Sequence, residues 1–154
     1  MAKSKRELLG YCGLYCGDCF AHQGVMADLA RDLRKELRAA RFADTAAALS
    51  SVPMFKVFAG YPQCYDVLGA IVRFRCKRAC RGGGGNPRCA IRLCCVREGL
   101  VGCWECGEFE ECSKLRILEA GHGDAAVRNL RVIKRRGVDS FIRGKRHWHG
   151  KAAT

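Results

Sequence analysis

The amino-acid sequence predicts a mainly α-helical fold, a small helical domain carrying irregular, cysteine-rich metal-binding loops. Three observations lead there. Apolar residues recur at three- and four-residue steps in several stretches, the period of a helix with one buried face. The first half shows no alternation of apolar and polar residues of the kind a half-buried strand needs. Twelve cysteines stand among 154 residues, and eight of them fall between Cys76 and Cys112.

Residues 1–9 read as a basic lead-in, and a first cysteine knuckle follows at Cys12, Cys16 and Cys19. From Gly24 to Phe42, the residues Val25, Met26, Leu29, Leu33, Leu37 and Ala40 trace a helical stripe opposite Arg31, Arg34, Lys35, Arg38 and Arg41. Asp44 suits the N-cap of a shorter helix that stops before Pro53. A further helix is expected from Gln63 to Phe74, with Val67, Leu68, Ile71 and Val72 facing inward. The run Gly82–Gly85, followed by Asn86 and Pro87, excludes regular structure, and Arg88–Glu98 reads as a short helix stopped at Gly99. Beyond it, helices are expected over Glu110–Ala120, from a cap at Asp124 to Arg136, and over Asp139–Arg146, with the tail KRHWHGKAAT frayed. One domain, 1–154, then comprises the first knuckle with its helices (10–75), the metal-binding segment (76–112), C-terminal helices (113–146) and a tail (147–154).

Composition places the chain in the cytoplasm. The start MAKSKRELLGYCGLYCGDC has charges but no apolar stretch with a cleavage site, unlike a secretory leader. The longest apolar runs, such as Val67–Val72, fall far short of the ~20 residues of a membrane span. In a reducing compartment, clustered cysteines point to metal rather than to a disulfide framework. The formal charge of +13 falls to about +9 if two four-thiolate zinc sites form, or to about +7 with three, because each carries excess negative charge. The chain stays basic, which favours anionic partners such as nucleic acid without specifying one.

The spacings carry the chemistry. Cys12-x3-Cys16-x2-Cys19 has Gly13 and Gly17 after two of its cysteines; Cys76-x3-Cys80 precedes Cys89-x4-Cys94-Cys95; Cys103-x2-Cys106-x5-Cys112 completes the set. Gaps of two to four residues suit thiolates converging on one tetrahedral ion. Thiolate sets accept zinc, two to three ions here, or a 4Fe-4S cluster, and softness does not separate the two. The first knuckle shares its spacing with radical S-adenosylmethionine enzymes, but those place it after a strand in a much longer barrel. His22 is the histidine best placed to act as a fourth ligand, against ordinary placement at a helix start.

The stretches YCGLYCGDCF, CRGGGGNPRCAIRLCCVREGL, GCWECGEFEEC and NLRVIKRRGVDSFI together resemble a family of small cysteine-rich prokaryotic proteins, a domain of unknown function. The resemblance covers most of residues 11–142. It implies a zinc- or cluster-binding protein without an assigned activity, and it implicates Cys12, Cys16, Cys19, Cys80, Cys89, Cys94, Cys103, Cys106 and Cys112. Cys76 joins them by local spacing, whereas Cys64 and Cys95 lie outside the pattern and read as buried thiols or spare ligands.

Three further features of the sequence bear on function. The loop Gly82, Gly83, Gly84, Gly85 and Asn86, flanked by Arg81 and Arg88, offers bare backbone for an anionic ligand, or simply a bridge letting Cys80 and Cys89 meet one metal. It lacks the Lys-Ser/Thr of a P-loop. Arg128, Arg131 and Arg135 would share one helix face, as a phosphate-backbone contact requires. No Ser–His–Asp or Cys–His nucleophile pairing is identifiable, which leaves enzymatic activity open. The sequence thus reads as a zinc-binding protein with structural multi-cysteine sites, an interaction module of unassigned partner. The alternatives are an iron–sulfur or redox/metal-handling protein, or a basic nucleic-acid-binding module.

Overall fold

The structure, a computed structural model, describes residues 4–150. Within them are eight α-helices, several 3-10 turns and no strand; the β-type pairing is one isolated antiparallel bridge between Leu9 and Tyr15. The protein is therefore mainly α-helical. No helix among the described residues is long and apolar enough to cross a membrane. The chain divides into two compact units, residues 23–75 and residues 1–22 with 76–154. The first knuckle thus belongs with the later cysteines, not with the helices that directly follow it.

In residues 23–75, helix α2 (Val25–Ala39) packs on α4 (Tyr61–Arg73), with α3 (Phe42–Leu49) and a 3-10 stretch (Pro53–Gly60) beside them. The helical periods were legible, but the buried faces are not the expected ones. Ala27, Ala30 and Gly69 are buried, while Val25, Met26, Leu29, Leu33 and Val67 are exposed. Small residues allow the two helices to approach closely, and Arg34 fills the space left by Gly69, lying 3.8 Å over the Tyr65 ring and donating to the Tyr65 carbonyl. Asp44 is not the cap expected of it. Helix α3 starts earlier, after Arg41 in the left-handed region, and the Asp44 carboxylate accepts from Arg41 at 2.9 Å in the first turn, where negative charge suits the helix dipole.

The other unit is built on a core of Leu9, Tyr15, Ile91, Cys95, Cys103, Trp104, Phe109, Leu115, Leu130, Ile133, Phe141 and Ile142. Helix α5 (Ala90–Arg97) presents Ile91 and Cys95, one turn apart, to this core. Helix α7 (Ala125–Arg136) runs from Asp124 to Gly137, as its sequence signals require, and α8 (Val138–Arg143) packs back on it. The Asp124 carboxylate is engaged by Arg128 at 3.0 Å rather than by the first amides of the helix.

Two expectations for this unit need correction. A continuous helix over Glu110–Ala120 does not form. Cys112 is extended, splitting the stretch into 3-10 turns at Phe109–Glu111 and Ser113–Leu118, and α-helix appears only at α6 (Glu119–His122). That break turns Phe109 and Leu115 into the core together. The segment 145–150 is not frayed. Asn129, fully buried, donates to the carbonyls of Gly13 (3.0 Å) and His147 (2.8 Å) and accepts from the His147 amide (2.9 Å). Arg146 forms a two-pronged ion pair with Asp18 at 2.7 and 3.0 Å and covers the Tyr15 ring. Trp148 meets the edge of His122, whose Nδ1 lies 2.8 Å from the Trp148 carbonyl. Lys151–Thr154 lie outside the described residues.

Candidate metal centre

The short helix α1 (Phe20–Gln23) follows directly on the knuckle. The Cys16–Asp18 turn closes on itself, the Cys19 amide donating to the Cys16 carbonyl at 3.1 Å. The His22 amide then donates to the Cys19 carbonyl at 3.0 Å, placing the imidazole one turn beyond that cysteine. Across from it, the Cys76 amide donates to the Ala21 carbonyl at 2.8 Å, which brings the second cysteine segment against the first. Cys80 completes the junction, its amide pointing at the Cys16 sulfur at 3.5 Å.

The result is a cavity of about 480 Å³ lined by Cys12, Cys16, Cys19, Cys76, Cys80 and Cys89 together with His22. Gly10 lies between two of these: a Cβ on it would stand 3.5 Å from the Cys12 sulfur and 3.7 Å from the Cys80 Cβ, both ordinary contact distances. Burial pushes the Cys12 thiol up to about 12; the Leu14 amide opposes this, and Cys80, Cys89 and Cys16 add to it. Burial likewise raises Cys16, against the Cys80 amide, with Cys80, Cys19 and Cys76 contributing in that order. Sulfurs close enough to perturb one another this way disfavour several thiolates at once unless a cation compensates. His22 Nδ1 is buried without a hydrogen-bond partner.

The donor set of thiols and an unengaged imidazole nitrogen fits a soft metal, and a backbone amide is directed at one of the sulfurs. As they stand, these side chains line a wall rather than converge. Among the described residues no group of three or more His, Cys, Asp or Glu is arranged to hold an ion.

The remaining cysteines do not line this cavity, although Cys12 and Cys89 pack against the core that holds Cys95 and Cys103. Cys95 and Cys103 are buried with their sulfurs 3.5 Å apart, well beyond a disulfide bond, and Cys106 and Cys112 pack against the same core. Burial raises both Cys95 and Cys103; for Cys103 the neighbouring Cys95 is the next cause, and Cys94 and Cys106 act on Cys95. Cys94, expected by spacing to join Cys76, Cys80 and Cys89, does not line their cavity. Cys95, which the sequence read as a buried thiol or spare ligand, is buried beside Cys103; its i,i+4 spacing from Ile91 carried that signal. Cys64 is not the buried thiol the sequence suggested: it is exposed, in the unit formed by residues 23–75.

The glycine loop contributes Gly84, Gly85 and Asn86 to the cavity wall, while Gly82 and Gly83 face solvent. The amides of Gly82, Gly83 and Gly84 are already taken by the carbonyls of Ala79 and Cys80. Arg92 gathers the carbonyls of Cys80, Gly84, Asn86 and Pro87 at 2.8–3.1 Å. A Cβ on Gly84 would stand 1.6 Å from the Arg78 carbonyl oxygen, so that close fold-back requires glycine. This geometry ties Cys80 to Cys89 across the loop.

Several of the basic residues singled out in the sequence have protein partners. Arg81 donates to the carbonyls of Leu9 (2.8 Å) and Val101 (2.6 Å) and lies over Tyr11. Arg128 reaches His147 Nδ1 and the His149 carbonyl, and Arg131 forms a two-pronged pair with Glu110. The arginine face expected to follow a phosphate backbone is thus engaged with protein partners at Arg128 and Arg131.

No curated protein and no solved structure matches the chain. One family model does match, over residues 8–117, more than half the chain, and that span contains all twelve cysteines but stops short of 129–142. The chain belongs to the family described as protein of unknown function (DUF3795).

Proposed function

We propose that this is a zinc-binding protein whose principal site is the cavity lined by Cys12, Cys16, Cys19, Cys76, Cys80 and Cys89. The observation that carries the reading is that two cysteine groups separated by more than fifty residues line one cavity, beside a buried, unpartnered His22 Nδ1. Sets made almost wholly of cysteine suit a structural role, in which the metal fixes irregular loops that hydrogen bonds alone hold weakly. Cys94, Cys103, Cys106 and Cys112, with Cys95, form the second candidate set. The reading places the protein in a reducing cytoplasm, where thiols stay available to a metal.

An iron–sulfur cluster in the same cavity is the second reading. Its support is the volume of about 480 Å³, many times the roughly 30 Å³ share of a water molecule, and the Cys80 amide aimed at Cys16, a contact that stabilises cluster sulfur. Metal analysis of untagged protein purified without oxygen separates the two. Colourless protein with two or more equivalents of zinc is the expected result. Brown protein containing iron and acid-labile sulfide establishes the cluster instead, and protein free of both metals refutes each.

A further inference from the structure

Six thiols and one imidazole around one cavity exceed what a single tetrahedral ion can bind, and they fall one position short of two such ions. The count closes if one sulfur is shared. Cys16 is the cysteine placed to be shared. On one side it is followed in the same knuckle by Cys19 and then His22, with Cys76 pinned next to them through Ala21. On the other it receives the Cys80 amide, and Cys80 neighbours Cys12 across Gly10. Cys89 lines the same wall, tied to Cys80 through the loop that Arg92 clamps.

We propose that the cavity holds a binuclear zinc centre in which the Cys16 sulfur bridges two ions and His22 Nδ1 is the nitrogen ligand. It rests on the metal-binding reading above and deepens it. One ion takes Cys16, Cys19, Cys76 and His22; the other takes Cys12, Cys16, Cys80 and Cys89. Each thiol releases its proton to solvent as its sulfur binds. His22 Nδ1 then has the partner that a buried imidazole nitrogen otherwise lacks. Charge supports the assignment as well: two zinc ions with six thiolates carry about −2 net, and Arg88, Arg92 and Lys114 line the same cavity.

The test is cadmium NMR on the full-length, reduced protein loaded with cadmium alone, which replaces zinc in thiolate sites. The expected spectrum contains a pair of resonances coupled to each other through the shared sulfur. His22→Cys, which keeps the ligand count and so preserves the fold, should move one member of the pair and leave both ions bound. Cys16→Ser should abolish the coupling. Ions that bind without mutual coupling overturn the binuclear assignment, and a coupled pair that His22→Cys leaves unmoved overturns His22 as the nitrogen ligand, each leaving metal binding intact. Protein that takes up neither zinc nor cadmium overturns the metal reading itself, and this centre with it.

Discussion

Replacing Asn129 with alanine removes a side chain that joins three parts of one unit. Its amide spans Gly13 in the knuckle loop and His147 in the C-terminal segment, making three hydrogen bonds at 2.8–3.0 Å from a fully buried position on α7. At about 1 kcal/mol net for each bond, the loss is about 3 kcal/mol, a sizeable fraction of a reserve of about 5–15 kcal/mol. For a chain of this size that corresponds to a fall in Tm of about 6–12 °C. Urea unfolding at fixed metal content measures it, with the midpoint falling and the denaturant dependence unchanged. Asn129→Asp is the control for water entering the hole. It keeps the volume but sets an acceptor oxygen against two carbonyls, so it should destabilise at least as much. A loss below about 0.5 kcal/mol for both variants, the range of an ordinary surface substitution, would refute the claim that Asn129 ties these segments together.

Cys95→Ser should cost about 1–3 kcal/mol, because it puts a hydroxyl into an apolar core, whereas Cys64→Ser on an exposed position should stay within about 0.5 kcal/mol; thermal melts compare them. Gly84→Ala should destabilise by about 1–3 kcal/mol and weaken zinc retention in competition with a chelator, since its Cβ would overlap the Arg78 carbonyl. Gly107→Ala, with open space at its Cβ, is the neutral comparison. The hydrogen bonds from Arg131 and from Arg6 hold the carboxyls of Glu110 and Asp139 below their ordinary values. Groups lowered on folding contribute stability above their unfolded values and lose it as pH falls through the folded ones. NMR titration should therefore find both carboxyls acidic, and Arg131→Ala should return Glu110 alone towards normal.

Much of the helical content was legible in the sequence because it rests on local periodicity and on end signals. Asp124 and Gly137 bracket α7, although the Asp124 carboxylate pairs with Arg128 instead of capping the helix, and Gly99 follows α5 as a helix stop requires. The buried faces were less legible. On α2 the alanines, not the large apolar residues, meet α4, because close approach of the two helices and the reach of Arg34 decide which side is covered. The break at Cys112 and the ordered segment at 145–150 escaped for a related reason. Both depend on partners distant in sequence, Asp18 and Asn129 among them for the segment.

The sequence by itself determined the chemistry on offer: twelve soft sulfur donors, their knuckle spacings, the glycines beside them and a predominantly helical chain. Which sulfurs share a cavity was decided only in three dimensions. Spacing places Cys94 beside Cys89, yet Cys89 lines the cavity and Cys94 does not, and the Cys76–Ala21 bond brings Cys76 and Cys80 to the first knuckle. Residue order sets which ligands are neighbours along the chain, but a coordination site is a meeting of side chains in space. Helix rotation and a handful of long-range backbone hydrogen bonds settle that meeting.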